Sequence, residues 1–120
     1  MKNAVIYAKH VCVRNYEPNI SSQIAICQKY ADKENMKIHH IYSDCVPTKM
    51  SVLSNYKKLM EDTKTKKFDT ILVSSASILG RNYQKILNLK NILSKSGINL
   101  ILIDLEEKGL LKLFLEATRK

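Results

Sequence analysis

Four short segments rich in β-branched and aromatic residues recur along the chain, with a helix-length stretch between each and the next. They are NAVIYAK at 3–9, MKIHHIYS at 36–43, FDTILVS at 68–74 and INLILI at 98–103. Segments this short and apolar fit strands covered on both faces. In the first gap Ile20, Ile24, Cys27 and Ala31 fall at helical spacing, with Asn19 or Ser21 available as N-cap. A second helix is expected over residues 51–65, burying Leu53, Tyr56, Leu59, Met60 and Thr63. A third is expected over 82–95, burying Ile86, Leu89, Ile92 and Leu93, with Gly97 just past its end. A last helix follows over 105–118. Residues 10–18 and 45–50 read as loops, and 75–82 as a turn around Gly80. Strands separated by helices need crossover connections. The expected fold is therefore α/β, a doubly wound, mainly parallel sheet of four or five strands flanked by helices, with one domain over residues 1–120.

In such sheets ligands bind beyond the carboxyl ends of the strands. Those ends carry Lys9 to Cys12, Asp44, Ser74 to Arg81, and Asp104. The formal charge is +9, from 20 Lys+Arg against 11 Asp+Glu. That excess favours a polyanionic partner such as nucleic acid, because each neutralised phosphate releases counterions. Only Arg14, Arg81 and Arg119 are arginines, so the charge is diffuse lysine, which a plain solvated surface explains equally well. The lysines from Lys57 to Lys67, interleaved with Glu61 and Asp62, read as a solvated helix face with i,i+4 pairs.

Other classes are excluded. No apolar run approaches the roughly 18 residues that a bilayer span needs, so no membrane partner is expected. The opening MKNAVIYAKH is too short for a secretory signal. Cys12, Cys27 and Cys45 are odd in number and lack CxxC spacing, so a disulfide framework or zinc site is not expected and a reducing cytoplasm fits. His39 and His40, as strand neighbours, are expected on opposite faces, where they do not chelate one metal. Asp44, Asp104 and Glu106 sit where a Mg²⁺ site is conceivable, although acids there more often cap helices. No metal or other cofactor is expected.

Several segments, taken in order, resemble one family. VIYAK at 5–9, SSQIAICQKYA at 21–31, IYSD at 41–44, YKKLMED at 56–62, KFDTILV at 67–73, LGRN at 79–82 and GINLILI at 97–103 carry the resemblance. Together they are similar to the catalytic domain of the resolvase/invertase family of serine recombinases. The resemblance implies site-specific DNA strand exchange, in which a serine attacks a DNA phosphate to form a phosphoserine link while arginines hold that phosphate. This chain departs from the pattern. Where the family strand ends Tyr-Ala-Arg-x-Ser, it has Tyr7, Ala8, Lys9, His10 and Val11, so Lys9 stands at an arginine position and Val11 at the nucleophile position. The family's Arg-Pro-x-Phe is Leu53, Ser54, Asn55, Tyr56. Its Leu-Asp-Arg-Leu-Gly-Arg turn is Ala76, Ser77, Ile78, Leu79, Gly80, Arg81, so only the last arginine is kept. Gln23 also matches.

Valine has no nucleophilic atom, so no covalent intermediate forms at Val11 and the expected chain is an inactive relative. Cys12, one residue further on, is expected as an ordinary thiol, since a one-residue shift near a strand end turns a side chain to another face. Lys9, Gln23 and Arg81, with free amides at the start of the third helix, are the expected phosphate or DNA contacts. Family members carry a DNA-binding module and a long dimer helix after this domain, and neither follows within these residues. Weak DNA contact, a homodimer, or pairing with an active recombinase are the expected partnerships. The competing reading is a non-catalytic interaction or phosphate-binding module of flavodoxin-like shape.

Overall fold

The parallel arrangement expected from the alternating pattern is present. A computed structural model of the chain describes residues 2–11, 19–48, 51–65, 67–80 and 82–107. In chain order the elements are β1 (Lys2–Val11), α1 (Ile20–Lys33), β2 (Met36–Val46), α2 (Ser54–Asp62), β3 (Thr70–Val73), α3 (Tyr83–Lys95), β4 (Asn99–Leu102) and α4 (Ile103–Glu107). Short 3₁₀ turns cover Thr63–Thr65 and Ala76–Leu79. The sheet order is β2-β1-β3-β4, and every pair is parallel. Among the described residues no helix is long and apolar enough to cross a membrane.

Strand alternation divides the core into two layers. Val5, Tyr7, Ile71, Val73, Leu100 and Leu102 pack with Leu59 of α2 and with Ile86 and Leu93 of α3. Ala4, Ile6, Leu72 and Ile101 pack with Cys27, Tyr30 and Ala31 of α1. Each large apolar side chain so buried contributes roughly 1.5–3 kcal/mol. Helix ends follow side-chain chemistry. Asn19 Oδ1 accepts from Ser22 N at 2.8 Å and Asn82 Oδ1 from Lys85 N at 3.1 Å, so each asparagine caps its helix. At the end of α3, Ile98 N donates to Leu93 O at 2.9 Å and Gly97 N to Ser94 O at 3.0 Å, with Gly97 at φ +80°. This is a Schellman closure, and only glycine enters that backbone region without cost.

Four expectations need correction. β2 does not stop at Ser43 but runs to Val46, because Asp44, Cys45 and Val46 pair with Lys9, His10 and Val11 of an equally extended β1. Its register with β1 jumps at one point: Ala4 faces Ile38 but Val5 faces His40, leaving His39 as the extra residue of a bulge. α2 begins at Ser54, not at residue 51, and Ile103 opens α4 instead of closing β4. Ile92 lies off the stripe formed by Ile86, Leu89 and Leu93 and is 61% exposed. Beyond Glu107, the expected last helix lies outside the described residues.

Candidate functional site

In the order β2-β1-β3-β4 the direction of strand addition reverses between β1 and β3, and the crevice beyond their carboxyl ends is where doubly wound sheets bind ligands. A cleft of about 240 Å³ lies there. β1 contributes Tyr7 and Lys9, the start of α2 contributes Leu53 and Tyr56, the turn after β3 contributes Ile78 and Leu79, and α3 contributes Lys85, Ile86 and Leu89. The result is a largely apolar cleft with two lysines, Lys9 and Lys85, on its lining.

Two polar devices hold this cleft in shape. The first grips Lys9: its N–H donates to Gln23 Oε1 at 2.9 Å, and Gln23 Nε2 donates back to its carbonyl at 2.7 Å. Gln23 has 0% exposure, so α1 fixes the Lys9 backbone from inside the fold. The second device is the Asp44 carboxylate. It accepts the Tyr7 hydroxyl at 2.9 Å on Oδ2, the Tyr56 N–H at 3.0 Å on Oδ2, and the Asn55 N–H at 3.1 Å on Oδ1. Leu53, at the N-cap of α2, has no capping side chain, so Asp44 caps the helix from a neighbouring strand. The Tyr7 and Tyr56 rings meet edge to face with centroids 5.3 Å apart. Burial first, and then the bond to Asp44, push the Tyr7 phenol well above its ordinary value, so it remains a donor.

Asp104 works in the same manner. Its Oδ1 accepts Leu105 N at 2.8 Å and Ala76 N at 3.2 Å, and its own N–H reaches Ser74 O at 3.2 Å, tying the turn after β3 to α4. Within that turn Gly80 takes φ +106° and ψ −179°, a conformation essentially closed to other residues. Asp44 and Asp104 thus serve backbone amides. Among the described residues, no three His, Cys, Asp or Glu side chains gather as a metal site.

The family model for the resolvase N-terminal domain matches residues 4–116. The chain belongs to that family. Its fold is that of serine recombinase catalytic domains. The N-terminal catalytic domain of TP901-1 integrase superposes with a TM-score of 0.76 at 24% identity, over 98% of this chain and 91% of that one. A resolvase family site-specific recombinase from Streptococcus pneumoniae gives 0.74 at 19%, over 98% and 85%. The C-terminal catalytic domain of ISC1926 TnpA, an IS607-like serine recombinase, gives 0.70 at 20%, over 84% and 69%. No curated protein matches in sequence.

Against this resolvase fold the residues singled out in sequence separate into groups. Lys9, Leu53 and Ile78, far apart in the chain, line the one cleft. Ser77 does not line it: its side chain is exposed and its hydroxyl lies 2.9 Å from Ser75 Oγ. Val11 ends β1 opposite Val46 and is 1% exposed. Gln23, expected as a phosphate contact, is instead enclosed beneath Lys9, and its observed effect on the cleft is to position that residue. Arg81 and Cys12 lie outside the described residues. Of the other thiols, Cys27 is buried and pushed up to about 12 by that burial, while Cys45 is exposed. His39 and His40 correct the expectation of opposite faces, because the bulge brings both onto one groove.

Lys85 and Tyr7 were not singled out from sequence as site residues, and Asp44 was named as a strand-end acid but not as the partner of Tyr7. For Lys85 a signal was available: it precedes Ile86 and lies four residues before Leu89, on the flank of the buried helix stripe. For Tyr7 and Asp44, 37 residues apart, no local signal exists.

Proposed function

We propose that this resolvase-family domain is a non-cutting relative of the serine recombinases, one that touches DNA through its phosphates without forming a covalent link to it. The observation that carries the reading is Val11, which closes β1 at the family's nucleophile position with an aliphatic side chain that is 1% exposed. The cleft supports it: Leu53 and Ile78 stand at two arginine positions and offer no charge to a transferring phosphate. Each missing stabilising donor typically costs about 10²–10³ in rate, and these losses compound. Lysine at position 9 supplies a point charge in place of a bidentate fork. Contact with DNA then rests on Lys9, Lys85 and the diffuse lysine surface, and is weak and salt-dependent.

The test uses supercoiled plasmid and a short duplex. The expected result is no nicking or relaxation, with duplex binding that weakens steeply between about 50 and 200 mM salt. Nicking that persists in a preparation carrying Lys9→Ala would be a contaminant, whereas nicking abolished by that change would overturn the proposal. Self-association, or pairing with an active recombinase subunit, is the partnership this reading implies. Co-purification with an active family member supports it, and failure to associate at high concentration removes it. Binding of inorganic phosphate without any binding of DNA would favour the phosphate-module reading instead.

A further inference from the structure

A second groove, of about 220 Å³, lies between β2 and α2, away from the cleft. We infer that this groove is an anion site for a phosphate-bearing ligand, and that its hold strengthens as pH falls. The bulge is the feature that builds it. An unbroken strand would turn His39 and His40 to opposite faces, but the extra residue opposite the Ala4–Val5 step brings both imidazoles to one lining. Bulges commonly re-aim side chains in this way. Lys58 from α2 and Lys67 from the segment before β3 complete the cationic side. The titratable groups that oppose or temper them are Asp62 of α2 and Tyr42 of β2.

Asp62 offsets one of the two lysine charges. Its Oδ2 accepts the Tyr42 hydroxyl at 2.6 Å, and burial together with that bond raises the Tyr42 phenol, so the tyrosine keeps its proton and adds no second negative charge. Two ammonium groups against one carboxylate leave one net positive charge, and protonating both imidazoles raises it to three. A metal is the poorer ligand here, since the lysines repel it and, among the described residues, no three ligating side chains converge. The groove is lined by residues other than those of the cleft, so the inference stands apart from the proposed loss of cleavage.

Sulfate is the probe, because its charge is the same at pH 5.5 and 7.5. The chain has three histidines, so the imidazole C2–H signals in proton NMR resolve the response site by site, with His10 of β1 as internal reference. At constant ionic strength, sulfate is expected to shift His39 and His40 saturably while leaving His10 in place. Binding should be at least about tenfold tighter at pH 5.5, as one added unit charge against the two of sulfate at contact distance in water implies. The double variant His39→Gln, His40→Gln is expected to keep its circular dichroism and lose the pH dependence. A short duplex in place of sulfate identifies the source: a stronger response than to sulfate assigns the site to the nucleic-acid backbone, and a weaker one to a free phosphate compound. Absence of saturation at His39 and His40, a response confined to His10, or affinity independent of pH would overturn the inference.

Discussion

Replacing Asp44 by alanine removes a carboxylate that three donors share, and the structure sets the expected loss. Asp44 is 6% exposed and Tyr7 1%, so water does not readily replace the missing acceptor. A buried hydroxyl left without a partner costs about 1–3 kcal/mol. Loss of the cap on the Asn55 and Tyr56 amides costs about 0.5–2 kcal/mol more. The total, about 1.5–5 kcal/mol, is a large part of the roughly 5–15 kcal/mol that holds a typical domain together. The thermal midpoint should fall by roughly 6–20 °C, at about 4 °C per kcal/mol for a domain of this size. Asp44→Asn keeps an acceptor and should lose only about 1–2 kcal/mol. The decisive comparison is a double-mutant cycle in urea with Tyr7→Phe, which removes the orphaned hydroxyl. The double variant should be more stable than the two single losses predict, by about 1 kcal/mol or more. An Asp44→Ala variant within about 0.5 kcal/mol of the parent would refute this reasoning, because ordinary surface changes move stability that little. Strict additivity would refute it equally.

Three further outcomes follow from the same geometry. Gly80→Ala should cost about 1–3 kcal/mol in urea unfolding from backbone strain alone, because a β-carbon there meets nothing within 4 Å; a neutral result would mean that the turn relaxes freely. Alkali should unfold the domain, because the Cys27 thiol rises by burial from 9.0 to about 12 and the Tyr7 phenol rises from 10.0 by burial and the Asp44 bond. Both groups hold their protons more tightly when folded, so their contribution is complete below about pH 9 and declines above it by about 1.4 kcal/mol per pH unit for each group titrating in the unfolded chain. A urea midpoint unchanged from pH 8 to 11 would contradict this. Gln23→Leu should cost about 1–3 kcal/mol and speed hydrogen exchange at the Lys9 amide, since both bonds to that backbone are lost; unchanged protection at Lys9 would remove the clamp from the account.

The strands, the helix faces and most helix ends were legible because their causes are local. Asn19 and Gly97 sit at positions their chemistry suits, and Cys27 and Ala31, or Ile86 and Leu93, mark buried stripes by spacing alone. What escaped depends on partners distant in sequence. β2 reaches Val46 because β1 offers Lys9 to Val11 alongside it, and the bulge at His39 is a property of that pairing rather than of the His-His dipeptide. α2 starts late because its cap is Asp44, not a residue of its own first turn. Lys9 and Ile78 were expected near one another from their strand-end positions, whereas only the family pattern brought Leu53 to the same cleft. Lys85 could have been found from its place beside Ile86 and four residues before Leu89, on the flank of the buried α3 stripe.

The most direct test is whether this chain ever becomes joined to DNA. End-labelled duplex or plasmid is incubated with the protein, quenched in detergent and resolved on a denaturing gel, with Val11→Ser run beside the parent. No label should travel with protein in either lane, because restoring a hydroxyl at position 11 leaves Leu53 and Ile78 unable to hold a reacting phosphate. Label retained on the parent chain, traced by mass spectrometry to any of its side chains, would contradict the proposed loss of cleavage chemistry.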